Sequence, residues 1–246
     1  MIRRIIVSVL IKYGLLGKAK IIRNNIFQIY SIIIRNLSGN FSFQYKLLPD
    51  YYGPRIIYID PFLIKYDTTS PDWMRNYGSS FIIDGDWDQK HINNMDEKPT
   101  FGQRTVHDMF VKGLDYRETE QYHEMVRRLH MGRRPWGCKT MYDIHNYFSE
   151  LKNIYDDIKN NGFKTQDERG NASEDEVLIY IDRNGRFING WGGKHRIAIA
   201  KILKLQSIPV LVCGVHKQWA AKVFLSFNSD VNSAIDNGLN QICKNG

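Results

Sequence analysis

Apolar residues return at helical spacing along much of this chain and gather into short unbroken runs elsewhere, so the pattern predicts a mixture of helices and strands. Residues 100–150 read as helical. Within them a helix runs through Tyr122, Met125, Val126 and Leu129, capped by Asp115 or Thr119. Residues 141–160 carry a second long stripe, and Asn161-Gly162 stops it. Ile56 to Ile59 is a short buried strand followed by the Asp60-Pro61 turn. Residues 176–182 and 186–189 form a hairpin about the tight turn Arg183-Asn184-Gly185. A buried helix from Lys194 to Leu205, a strand at 208–212 and a helix at 219–225 follow, and the asparagine-rich last twenty residues are expected to be peripheral.

The first 40 residues follow a different rule. Ile2, Ile5, Ile6, Val9, Tyr13 and Leu16, then Ile22, Ile26, Ile29 and Ile33, make apolar helical stripes interleaved with Arg3, Arg4, Lys12, Lys18, Lys20, Arg23 and Arg35, and no acid interrupts them. Of the chain's net charge of +8, this arm holds seven, so the remainder is nearly neutral and a uniformly basic nucleic-acid-binding surface is not expected. No window reaches the length of uncharged apolar sequence that spans a bilayer, and Lys18 and Lys20 stand where a secretory cleavage site would need small residues. The arm packs on the protein, or lies on an anionic membrane surface or a nucleic acid. Three scattered cysteines suggest neither a disulfide framework nor a CxxC metal site, which favours the cytoplasm, with peripheral membrane attachment through the arm as a variant. The 246 residues thus divide into the basic arm at 1–40, a first core strand plus a mainly helical lobe at 41–175, and a core at 176–246.

Chemistry concentrates at the hairpin-to-helix junction. Gly190, Gly192 and Gly193 permit positive φ and close backbone approach, so consecutive N–H groups can converge on an anion. A helix beginning at Lys194 adds its unpaired amides and the positive end of its dipole. Lys194, His195 and Arg196 are expected at the same mouth as anion donors. Upstream, Asp84, Asp86 and Asp88 lie within five residues and are a candidate Mg²⁺ site, the other reading being an Asp-Gly turn anchored by a buried Trp87. His107, His123, His130 and His145 show no HxxxH or HExxH spacing, which argues against a zinc enzyme. Arg133 and Arg134 precede Pro135-Trp136, where arginines beside a ring can grip phosphate while the ring stacks on a base; closure of the core over a helix end is the favoured role of Trp136. Cys138 has no thiolate-stabilising neighbour and reads as a small hydrophobe.

The run GGKHR at Gly192 to Arg196, followed by IAIAKILKL and SIPVLV, resembles the core of the ParB N-terminal-like and sulfiredoxin superfamily, in which a GxHR or GExR element opens a helix that ends before an IPV strand. The segment at 55–64 resembles the first strand and turn of such domains, and the GDWD element at 85–88 and the PWGC element at 135–138 resemble elements of other ParB-like proteins. The likeness implies an α+β fold, a small mixed sheet with helices, here with a helical insertion. It also implies binding of a nucleotide, ATP or CTP with Mg²⁺, through Gly192, Gly193, Lys194, His195 and Arg196, and phosphoryl transfer or hydrolysis. Asp182 and His195 are then the candidate catalytic residues, with Asp84, Asp86 and Asp88 as further groups to orient a nucleophile. Lys194 stands where sulfiredoxins carry a reactive cysteine and where partition proteins and serine kinases carry a glutamate, so sulfinic-acid reduction is not expected, whereas neutralisation of a phosphate is compatible with a lysine. The alternatives are a ParB-like nucleic-acid-binding protein or a non-catalytic peripheral membrane protein; the acceptor substrate is not readable.

Overall fold

Strand β7 (Ile208–His216) is almost wholly buried along its nine residues, so both of its edges need partners. In this computed structural model, which describes residues 54–69, 81–170, 176–190, 192–227, 229 and 231–245, it is the strand on which the sheet is built. One edge pairs in parallel with β5 (Leu178–Ile181). The other pairs antiparallel with β1 (Arg55–Ile59), Ile59 opposite Ile208, and then in parallel with the two-residue β3 (Ile82–Ile83), Ile83 opposite His216. Beyond β5 the sheet continues through β6 (Phe187–Asn189), β2 (Tyr66–Thr68) and β4 (Ile92–Asn94). Among the described residues this is a seven-stranded mixed sheet accompanied by six α-helices, an α+β arrangement.

The helices start where local chemistry supplies caps. Thr100 and Gln103 form a capping box ahead of α1 (Phe101–Phe110), Thr119 caps α2 (Glu120–His130), and Thr140 and Asp143 form a second box ahead of α3 (Met141–Asn161). Asp115 caps a separate 3-10 turn at 116–118. Gly162, at φ 77°, ends α3. After β6 come α4 (Lys194–Ile202), then α5 (Lys217–Phe227) and α6 (Val231–Asn245) beyond β7.

Two apolar cores result. The sheet core joins β1, β5 and β7 to α5 and α6; the helical core joins Val106, Met125, Ile144, Phe148, Leu151 and Ile158 of α1 to α3. Helix α4 belongs to both: Ile197 and Ala200 enter the sheet core, Ala198 and Ile199 the helical one.

Three short strands are added to the expected elements, and two expectations change. Strands β2, β3 and β4 have two or three residues each, too few for an alternating pattern to show in sequence. The C-terminal segment is not peripheral, because Ala234, Ile235 and Leu239 of α6 are fully or almost fully buried. Trp136 does not close the core: it is 43% exposed. The basic arm at 1–40, with its expected membrane or nucleic-acid contacts, lies outside the described residues. Among the described residues no helix is long and apolar enough to cross a membrane.

Gly214 marks the tightest point of the sheet, since a Cβ there would lie 2.5 Å from Ile83 Cδ1 and 3.2 Å from the Phe81 carbonyl oxygen. Gly214→Ala is expected to lower stability by about 1–3 kcal/mol through overpacking. Urea denaturation of the variant checks this, and an unchanged midpoint contradicts it.

Candidate functional site

The turn from β6 into α4 is built by two glycines for different reasons. Gly192 has φ 139° and Gly193 φ 73°. At Gly193 an added Cβ would also come within 2.9 Å of Val177 Cγ2, so both conformation and space exclude a side chain. Gly190, which could take positive φ or allow close approach, does the second: the Tyr180 ring is 2.9 Å from where a Cβ would be. Asn189, fully buried, ties the turn down by donating from Nδ2 to the carbonyls of Leu178 (3.1 Å) and Gly192 (2.9 Å). Helix α4 then begins with Gly193 as its N-cap, a residue with no side chain of its own to cap the first turn. The positive end of the helix dipole lies at this turn.

This turn forms part of the wall of a cavity of about 540 Å³, a size typical of small-molecule sites. Gly192, Gly193, Lys194 and His195 face Asp67 and Thr68 of β2, Lys98 and Thr100 ahead of α1, Phe101, Gly102 and Arg104 of α1, and Trp136 and Tyr147. Three cations and one carboxylate stand in that lining, a balance that favours an anionic occupant, with Arg104 Nε itself paired with Glu120 Oε2 at 2.8 Å.

The three basic side chains of the KHR run do not share one mouth. Lys194 reaches across to β2, where Nζ donates to Asp67 Oδ2 at 2.5 Å and to the Thr68 carbonyl at 3.1 Å. Asp67 is 2% exposed, and its other oxygen accepts from Asn93 Nδ2 at 2.9 Å. The lysine charge is thus largely spent on a buried carboxylate rather than directed at a ligand. Arg196 points the other way: Nη1 lies 4.0 Å from buried Glu176 and the guanidinium 5.9 Å from the Phe163 ring, and the residue is not part of the cavity lining. Of the residues of this run, the two glycines, Lys194 and His195 line the cavity.

His195 is neutral. Burial, followed by the neighbouring Lys194 charge, pushes its pKa down to about 4. Its Nε2 is 3.2 Å from Gln121 Oε1 and 3.4 Å from the Tyr147 hydroxyl. Because a carbonyl oxygen only accepts, and Gln121 Oε1 also receives the Thr105 hydroxyl at 2.8 Å, the imidazole proton sits on Nε2. Gln121 Nε2 donates to the Tyr147 oxygen at 2.9 Å. Burial raises Tyr147 to about 12, so its hydroxyl stays protonated and can donate at the cavity wall. His195 therefore cannot act as a cationic phosphate ligand near neutral pH; it holds a hydrogen-bonded wall in place.

The remaining candidates are structural. Asp182 is fully buried under the hairpin turn, accepting from the amides of Asn184 and Arg186 at 2.8 Å and from the Arg186 side chain at 2.5 Å, away from the cavity lining. Asp84, Asp86 and Asp88 do not converge on one point. Lys217 Nζ binds Asp84 at 2.7 Å, while Arg183 Nη2 binds Asp86 at 2.9 Å and Asp88 at 2.7 Å. The Lys217 hydrogen bond lowers the Asp84 pKa; burial raises Asp88, but the Arg183 bonds outweigh it. The expected carboxylate metal site is therefore corrected to an ion-paired clasp over buried Trp87, and among the described residues no group of three His, Cys, Asp or Glu could hold a metal. His216, 0% exposed, donates from Nε2 to the Gly85 carbonyl (2.9 Å) and accepts the Gln218 amide at Nδ1 (3.0 Å), which leaves neither nitrogen for acid–base work. Cys138 is buried and its thiol pKa raised by desolvation, consistent with a small hydrophobe.

Asp67, Lys98, Arg104 and Tyr147 were not anticipated. They lie between 46 and 126 positions from Gly193 in sequence and carry no motif that would link them to it. No protein-family model, curated protein or solved structure matches the chain.

Two outcomes are expected. Lys194→Met strands a buried carboxylate and should cost about 3 kcal/mol, whereas Lys194→Met with Asp67→Asn should recover at least half of it; equilibrium unfolding of the four proteins of this cycle measures the coupling. His195 has an ordinary pKa of 6.5 and a folded value of about 4, so between these values the unfolded chain binds more protons and stability falls as pH falls. Cavity water moderates the loss, expected at about 1–2 kcal/mol between pH 6.5 and 5. Urea unfolding at both pH values tests it, and His195→Gln should lose most of the difference.

Proposed function

We propose that the protein is a nucleotide-binding protein of the ParB/sulfiredoxin-like kind, holding the phosphates of ATP or CTP in the cavity at the start of α4. The observation that carries this reading is the helix start at Gly193, opening with its two positive-φ glycines into a cavity whose lining holds three cations against one carboxylate. In this reading the backbone turn and the helix dipole supply the phosphate site, Lys98 supplies side-chain charge, Arg104 adds its guanidinium from an ion pair with Glu120, and Lys194 fixes the turn against β2. Arg196 has no ligand role in it.

The same geometry favours binding over a specific reaction. Asp67 is the carboxylate of the lining, and it is committed to Lys194 and Asn93. Among the described residues no group of carboxylates builds a Mg²⁺ site, so in this reading the ion enters as the counter-ion of the nucleotide. Phosphoryl transfer or hydrolysis would require a group beyond His195 and Asp182, since the first is neutral and hydrogen-bonded and the second lies outside the cavity lining.

Calorimetric titration of ATP and CTP into the full chain with Mg²⁺ tests the reading. Saturable binding is expected, weakened about tenfold or more by Lys98→Glu, as the loss of a charge-assisted contact and its reversal imply. Absence of binding by either nucleotide at millimolar concentration, or an unchanged affinity in Lys98→Glu, overturns it.

A further inference from the structure

The cavity carries a second surface that phosphate binding does not use. Pro135-Trp136-Gly137 forms a 3-10 turn between α2 and α3, and Trp136 within it has φ 48° and ψ 30°. A non-glycine residue in this left-handed region carries a conformational cost of about 1 kcal/mol or more. The ring it presents is 43% exposed and lines the cavity. The Phe101 ring meets it edge-on at 6.2 Å and 84°, and the Arg128 guanidinium lies 5.5 Å from its centroid. Phe101, also part of the lining, has the Arg104 guanidinium 4.8 Å from its own ring. The two aromatic rings are thus braced by two arginines. The fold bears both the backbone strain and the exposed indole without burying the ring in return, as is usual where a surface waits for a flat partner.

We infer that Trp136, braced by Phe101 and Arg128, is the platform on which the base of the bound nucleotide stacks. The inference rests on the nucleotide reading above and adds its other half: a ligand with phosphates at the glycine turn and an aromatic heterocycle against Trp136. The occupant follows from the lining itself, since the cavity joins an anion-favouring wall to an aromatic one, and a nucleoside phosphate has both complements in one molecule. Because any base presents a π-face, the platform contributes affinity for bases in general rather than a choice among them.

Inorganic tripolyphosphate serves as the base-free probe. ATP and tripolyphosphate are titrated calorimetrically into wild type, Trp136→Ala and Trp136→Phe, with the thermal midpoint of each recorded. Trp136→Ala is expected to weaken ATP binding about five- to hundredfold while leaving tripolyphosphate within about twofold, and Trp136→Phe to recover most of the loss. Unchanged ATP affinity in Trp136→Ala, equal losses for both ligands, or a Phe variant as weak as the Ala variant overturns the platform and leaves the phosphate site standing. A wild-type protein that binds neither ligand overturns the phosphate reading and the platform with it.

Discussion

Helix α4 is held from two sides, and the placement of the cavity depends on that. Its nine residues are few for so much burial: Ile197 and Ala200 are packed into the sheet core while Ala198 and Ile199 are packed into the core of α1 to α3. A helix clamped this way can neither rotate nor slide without exposing one apolar face. The start of the helix, and with it the glycine turn, is therefore positioned by packing behind it rather than by a side-chain cap. Gly193 against Val177 and Asn189 against the Gly192 carbonyl complete the constraint from the sheet side.

The same rotation of 100° per residue that lets α4 serve two cores separates its three basic residues. Lys194 is directed to β2, His195 to the Gln121–Tyr147 wall and Arg196 to Glu176, so a contiguous run in sequence becomes three separate anchors. Each anchor has a buried or hydrogen-bonded partner, which the interior demands of any polar group brought into it. What faces the cavity is consequently the backbone and a set of residues recruited from elsewhere, Lys98, Phe101 and Arg104 near the start of α1 among them.

The acidic cluster obeys the same accounting. Asp84, Asp86 and Asp88 lie close in sequence, as a metal site would require, but Arg183 on the hairpin turn and Lys217 at the end of β7 arrive between them and neutralise them pairwise. Their work is to fasten the loop carrying Trp87 over β6 and β7, with Trp87 packed against Ile83 and Ile188. A carboxylate cluster that holds a metal must stay unpaired by protein cations, and this one does not.

From the linear sequence alone, the long helices, the hairpin, β1, most of β7 and the glycine turn were determined, because apolar period, capping residues and positive-φ glycines are local signals that act within a few residues. The Thr119 cap of α2, the Gly162 stop and the Gly193 entry to α4 all appear where those signals place them. The tertiary structure alone decided the rest: the two- and three-residue strands, the burial of α6, and the partner of every charged candidate. Those depend on contacts between segments far apart in sequence, such as Asp67 with Lys194 or Asp88 with Arg183, and a single chain's pattern holds no record of which charge will meet which.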